Sequence, residues 1–327
     1  MTGRLFLNRV WAWSSAARGA GVLSCAALSC AALSFACANG ERPRVQRPPS
    51  VAAAPELPLP SGLDAAVRVD IAALSSELGQ APTRQFLLDA LSLGAASEHA
   101  ARNLGQALDR TALLWFGLPA PSAAAARANV LVLRGHFGDL FDDQRWSRRD
   151  SGIDVLELAG DDAAGYARVY RLPGSEQLIW SPSSELVGVE RALAGDAVEP
   201  ALHPPERGAV SVAARPAGML ERVASRYPEL SERFRGVRTI QAFAEPTAGM
   251  WRADLDLDFA SAAQASEASG LLERLRQALT RRGCAVGVVA RAVAVTSFER
   301  DVRVQTVLIG PELEAVKACV LGDGCCA

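Results

Sequence analysis

Residues 251–279 read WRADLDLDFASAAQASEASGLLERLRQAL. In the first nine, Trp251, Ala253, Leu255, Leu257 and Phe259 alternate with Arg252, Asp254, Asp256 and Asp258. That period of two is the pattern of a strand with one buried and one wet face. Ser261 followed three residues later by Gln264 forms a capping box, and Ala268, Leu271, Leu275 and Leu279 then recur at helical spacing. A half-buried strand that runs straight into an amphipathic helix must bury both apolar surfaces against each other, which makes this an α+β chain.

The same alternation recurs on both sides. Upstream it predicts strands at 66–71, 112–116, 129–134, 153–158, 167–172, 177–180, 209–213 and 239–244; downstream at 293–298 and 302–309. Between the first two lie apolar positions at helical spacing, Leu74, Leu78, Phe86, Leu87, Ala90, Leu104 and Leu108, which predict two or three helices broken near Pro82 and Gly94. A helix over 184–193 is bounded by Ser184 and Gly195, helices surround 219–234, and another starts at Pro311 and stops at Gly322. Strands joined by short turns, with helices inserted singly, imply mostly antiparallel sheets with helices packed on one face.

A local match suggests two tandem similar units. SSELVGVERALAGD at 183–196 shares Glu185, Leu186, Val189, Gly195 and Asp196 with Glu312, Leu313, Val316, Gly322 and Asp323 of GPELEAVKACVLGD at 310–323. The same offset relates Phe116 and Pro119 to Phe243 and Pro246. Capped amphipathic helices also converge on such patterns, so the units, 63–200 and 201–327, are an expectation.

The N-terminal 40 residues have a different composition. Arg4, Arg9 and Arg18 precede the uncharged run GAGVLSCAALSCAALSFACANG at 19–40, a positive start with an apolar core and small residues at its far end. Leu33-Ser34-Phe35-Ala36 before Cys37 resembles the lipobox of bacterial lipoprotein precursors, with Cys30 after Ala27-Leu28-Ser29 as the alternative. Resemblance to that family implies lipid attachment at Cys37 and a membrane-anchored place in the bacterial cell envelope. It implies nothing about activity. Two other outcomes fit the same residues: cleavage after Ala38 of an A-x-A pattern, giving a periplasmic or secreted protein, or retention of the run as a membrane span. The following ERPRVQRPPSVAAAPELPLPSG, residues 41–62, is rich in proline and reads as an extended tether.

Composition narrows the function classes. The chain has 327 residues, is 50% hydrophobic and 21% charged, and carries a formal charge of −2. Loss of Arg4, Arg9 and Arg18 with the export segment lowers that charge by three, to −5. Nucleic acid is therefore not an expected partner. Doublets such as Arg148-Arg149 and Arg281-Arg282 are short and flanked by acids, which suits a solvated surface. Four cysteines lie outside the export segment, Cys284, Cys319, Cys325 and Cys326; outside the cytoplasm an even set invites disulfides whose connectivity spacing alone leaves open. A structural zinc site is disfavoured, because the paired C-x-x-C spacing is missing.

Two constellations could carry chemistry. Asp254, Asp256 and Asp258 share one strand face and could offer oxygens to calcium, yet a solvated sheet face gives the same pattern. His136 sits between Gly135 and Gly138 with Asp139, Asp142 and Asp143 nearby, but the chain holds no G-x-S-x-G elbow or His-Glu-x-x-His helix to complete a hydrolytic site. His99 and His203 have no evident partner. Phosphate-binding glycine loops are also missing, and Trp115, Trp146, Trp180 and Trp251 are scattered as packing residues would be. No cofactor and no resident metal is expected. The reading favoured by the residues is an exported envelope lipoprotein with a binding or structural role and an envelope protein or cell-wall partner. A periplasmic hydrolase using Asp254 or His136, or a small apolar ligand held between sheet and helices, are the alternatives.

Overall fold

The computed structural model describes Leu59 and residues 63–91, 98–119, 130–138, 140, 146–149, 151–158, 166–172, 176–196, 202–216, 232, 234–247, 249–281 and 285–314. Cys30, Cys37, Cys284, Cys319, Cys325 and Cys326 all lie outside the described residues, as do Val316, Gly322 and Asp323 of the local match. In chain order the elements are β1 (Leu63–Asp70), α1 (Ile71–Leu78), α2 (Gln80–Ala90), α3 (Glu98–Asp109), β2 (Thr111–Pro119), β3 (Val130–Gly135), β4 (Ser147–Arg148), β5 (Asp154–Glu157), β6 (Tyr166–Arg171) and β7 (Gln177–Pro182). They continue with α4 (Leu186–Ala194), β8 (Val210–Ala214), β9 (Val237–Thr247), β10 (Met250–Phe259), α5 (Ala262–Thr280), α6 (Ala285–Arg291), β11 (Val293–Phe298) and β12 (Asp301–Ile309).

All twelve strands join one antiparallel sheet, ordered β11-β12-β10-β9-β8-β1-β2-β3-β7-β6-β5-β4. The expected boundary between 63–200 and 201–327 therefore falls inside a continuous sheet, whose central seam pairs Ala65 with Ala214 through to Val69 with Val210. On either side of that seam the order is the same: β1-β2-β3-β7-β6 to one side and β8-β9-β10-β12-β11 to the other. Among the described residues only the first side continues, through β5 to β4.

Side-chain alternation gives the sheet two unlike faces. On one face Val67, Leu114, Phe116, Leu131, Leu133, Leu178 and Trp180 pack with Leu74, Leu87, Leu104 and Leu108 of α1–α3. The same face continues into the second half, where Leu255, Leu257, Phe259, Val302 and Val304 meet Ala265 and Ala268 of α5. Those two alanines are fully buried, and Leu272 packs beside them, while Leu271, Leu275 and Leu279 are only half-buried. Small side chains let the helix backbone approach the sheet, so the contact stripe is rotated from the leucines that periodicity picked out. Ser261 caps this helix as expected, accepting from the Gln264 amide at 3.3 Å.

Two local boundaries differ from the sequence reading for clear reasons. Ile71 belongs to α1 rather than β1, because Asp70 accepts from the Ala73 amide and begins the helix. The break between α1 and α2 comes at Gly79, with φ of +87°, and not at Pro82. Pro82 lies in the first turn of α2, where a missing amide hydrogen costs nothing.

Across the first half, the opposite face carries a second apolar layer of Ala66, Trp115, Val130, Val132, Val155, Tyr170 and Ile179, closed by Val189 of α4. α4 follows a 3₁₀ turn at Ser183–Glu185 instead of a Ser184 cap, and ends at Gly195 in the left-handed region as its sequence suggests. Its polar anchor is Glu190, whose Oε1 accepts from Arg149 at 2.9 Å, Arg168 at 2.6 Å and the Tyr170 hydroxyl at 3.1 Å. Arg149 also stacks on the Tyr170 ring, 5.5 Å from its centre.

The hydrogen bond from Arg149, aided by Tyr170 and by both guanidinium charges, holds the Glu190 carboxyl below its ordinary value. A carboxyl so depressed contributes stability that is complete above its unfolded pKa and is lost as pH falls through the folded one. Acid melts are therefore expected to show part of their loss below about pH 4.3, and Glu190→Gln to remove that part. Melting temperature measured from neutral pH down to about pH 3 checks this, and identical slopes in the two proteins would contradict it.

Candidate functional site

Across the second half the opposite face is polar. Here Arg68, Ser211, Phe243, Asp254 and Gln305 lie side by side on neighbouring strands, with Gln241, Asp256 and Arg303 one step along. This face contains the three carboxylates singled out by the β10 alternation. Each has a counterpart brought by pairing: Asp254 accepts from the Gln305 amide at 2.8 Å and is bridged by Arg252 at 2.8 Å, Asp256 is bridged by Arg303, and Asp258 by Arg238 at 2.8 Å. Three cations thus answer three anions.

The arrangement does not resemble a cation site. Calcium would require the carboxylate oxygens to converge with six or more ligands. Here the oxygens spread along a ladder toward guanidinium groups, and among the described residues no cluster of three histidine, cysteine or acidic side chains could hold a metal. Hydrogen bonding to Asp256 raises the Arg303 pKa, and the bond to Asp258 raises that of Arg238. Both cations are therefore fixed.

Burial separates the three acids. Asp254 is 5% exposed, whereas Asp256 and Asp258 are partly open. Removing the Asp254 carboxylate leaves Gln305 and Arg252 without their acceptor, so Asp254→Ala is expected to cost about 1–3 kcal/mol. Asp256→Asn and Asp258→Asn, which break exposed pairs, should each stay within about 1 kcal/mol. Urea unfolding of the three variants distinguishes these sizes, and added calcium should leave all midpoints unchanged. A calcium-dependent rise that Asp256→Asn abolishes would refute the ladder reading.

The joint 202–208 lies along this face. Arg207 stacks on Phe243 at 3.7 Å from the ring centre, Arg68 donates to the Gly208 carbonyl at 3.1 Å, and Ser211 donates to the Pro205 carbonyl at 2.6 Å. His203, in the same joint, is exposed. His136 is at the end of β3, its Nδ1 2.6 Å from the Glu176 carboxylate. Both side chains are open to solvent, 86% and 60% exposed. Among the described residues Glu176 is the one polar partner of His136; Asp139, Asp142 and Asp143 lie outside them. An imidazole oriented by a carboxylate is half of a hydrolytic relay, but a water-exposed one gains little electrostatic advantage.

Among the tryptophans, Trp115 and Trp180 are buried, and Trp146 lies under the Arg171 guanidinium at 4.3 Å. A polar cluster gathers around Glu190, which sequence reasoning missed. Its members come from three separate segments, Arg149 just after β4, Arg168 and Tyr170 on β6, and Glu190 on α4, which only the fold brings together.

No family model matches the chain, and no curated protein does. Solved structures of TP0453 are similar in outline. Crystal form III has 13% sequence identity and a TM-score of 0.47, over 79% of this chain and 95% of that one. Crystal form I has 14% identity and a TM-score of 0.47, over 81% of this chain and 96% of that one.

Proposed function

We propose that the chain is an exported envelope lipoprotein, attached to a membrane through Cys37 and the tether 41–62, whose body has a binding or structural role without catalysis. The observation that carries the non-enzymatic part is the ladder on β10. The carboxylates best placed by sequence to act as acid, base or ligand are committed to Arg252, Gln305, Arg303 and Arg238. The anchor is supported by the order of residues 4–62: arginines, an uncharged run ending in Leu33-Ser34-Phe35-Ala36-Cys37, and then proline-rich chain. A body held clear of a surface by such a tether suits a partner in the envelope, either another protein or the cell wall.

The intact mass and N-terminal peptide of the mature protein, taken from envelope and culture fractions, test the anchor. A diacylated or triacylated Cys37 in the envelope fraction is the expected result, and a modified Cys30 would move the site. An unmodified start at Asn39 in the soluble fraction would overturn it. For the body, hydrolase screening with His136→Ala and Asp256→Asn as controls is decisive, since an activity that either substitution abolishes would replace this proposal with the hydrolase reading.

A further inference from the structure

The arginines of the polar face fall into two groups. Arg252, Arg303 and Arg238 each bridge one aspartate of β10. Arg68 and Arg207, at the joint 202–208, find no such match. Arg68 donates to the Gly208 carbonyl at 3.1 Å, and its one ion-pair partner among the described residues, Asp70, lies at 3.9 Å, beyond hydrogen-bond distance. The other oxygen of that carboxylate is taken up in capping α1. Arg207 has a ring in place of an acid. Its guanidinium lies 3.7 Å from the centre of Phe243, and among the described residues it makes no hydrogen bond or ion pair.

Register brings these two cations together. Arg68, Ser211 and Phe243 are successive neighbours across β1, β8 and β9, so Arg68 and the ring under Arg207 start about 10 Å apart, two strand spacings. The carbonyl that Arg68 holds belongs to the residue immediately after Arg207. Ser211, between them, is committed to the Pro205 carbonyl. The Arg68 side chain is 11% exposed, whereas Arg207 is open to solvent. Water screens a cation so covered only weakly. A guanidinium stacked on a ring keeps the donors along its edge available as a fixed fork.

We propose that the joint is a carboxylate-binding site, with Arg207 as the bidentate contact and Arg68 as a neighbouring, poorly screened charge. The surrounding acids select the ligand. Glu206 precedes Arg207, Glu245 stands two residues beyond Phe243 on the same face, and Asp70 flanks Arg68. Two cations in that company favour a singly charged anion, because a doubly charged phosphate meets twice the repulsion from the same acids. A planar carboxylate also matches the fork of one guanidinium. The inference is independent of the lipoprotein reading, which concerns the first 40 residues and not this face.

Isothermal titration of the purified full chain at low ionic strength tests it, with acetyl-Ala-Ala, the C-terminal amide of that peptide, acetate and inorganic phosphate as probes. The peptide acid is expected to bind with a Kd of about 0.1–10 mM. Its amide, which keeps everything but the charge, should bind at least about tenfold more weakly. Acetate as tight as the peptide acid supports the site with a free small acid as ligand; a tighter peptide acid supports it with a peptide C-terminus. Arg207→Gln should weaken the peptide acid at least about tenfold and leave the melting temperature near that of the wild type, since the side chain is exposed. Glu245→Gln, which removes a repelling acid, should tighten binding. A wild type that binds no carboxylate up to about 10 mM overturns the proposal. So does phosphate that binds more tightly than the peptide acid, or an affinity that Arg207→Gln leaves unchanged.

Discussion

Trp180→Ala is expected to lower the unfolding free energy by about 3–5 kcal/mol. Trp180 is 1% exposed at the middle of β7, between Leu131 of β3 and Val169 of β6 in register, with its ring edge-on to Tyr166 at 5.6 Å and 84°. Tyr166 is equally buried, and burial pushes its phenol far above the usual range, so it remains neutral. The neighbours are strands pinned on both sides and cannot collapse inward, which places the loss toward the upper end. For a domain whose total stability is about 5–15 kcal/mol, at least about a fifth of the margin goes with this side chain. Urea titration followed by circular dichroism measures it. A midpoint within error of wild type would mean that this half of the sheet is far looser than its packing indicates, and Trp180→Phe should recover most of the loss.

Gly135→Ala is the second large effect, with a different cause. Gly135 ends β3, its amide bonded to the Glu176 carbonyl at 2.8 Å, and a β-carbon here would run into the Arg110 carbonyl oxygen. The obstacle is backbone, which cannot rotate aside. Arg110 closes α3 and feeds β2, and its carbonyl also accepts from the His136 amide at 3.2 Å. One methyl group therefore separates β3 from the α3–β2 corner and from β7 at once. Overpacking of an ordinary core costs about 1–3 kcal/mol; a backbone collision at a three-way junction should reach or exceed the top of that range. Thermal unfolding of Gly135→Ala beside Gly138→Ala gives the comparison, because a β-carbon at Gly138 meets nothing within 4 Å. Equal losses at the two glycines would refute the collision argument.

Strand positions were legible wherever a strand has one wet face. β10 and β12 alternate cleanly because their even and odd residues meet different surroundings, and the predicted 293–298 coincides with β11. β3 and β7 gave weaker patterns, since both their faces are buried in the first half, and each extends beyond its predicted end. β4 was missed: two exposed residues carry no period. α6 was missed as well, because AVGVVAR is too short and too uniformly apolar to show a face. The α+β class with mostly antiparallel strands followed from turn spacing. The joining of both halves into one sheet did not, since nothing local in Ala65–Val69 or Val210–Ala214 names the other as partner. At the candidate site the three acids and Arg252 were readable from alternation, but the other two arginines were not. Arg303 and Arg238 come from different strands: register brings Arg303 opposite Asp256, and the bulge at Asp258/Phe259, where Arg238 is the extra residue, brings Arg238 to Asp258.

The seam between β1 and β8 also sets a schedule. Val69 must wait for Val210, and about 140 residues separate them. At a synthesis rate of about 5–20 residues per second, that delay is roughly 7–28 s. Strands β2 and β3 can assemble on β1 long before its other partner exists, and β6 and β7 are also complete before it. Throughout that interval the nascent chain carries a bare, apolar template at its own centre, and any strand that arrives early could occupy it. A holding chaperone, or synthesis fast enough to shorten the interval, is therefore expected to raise the yield of native protein.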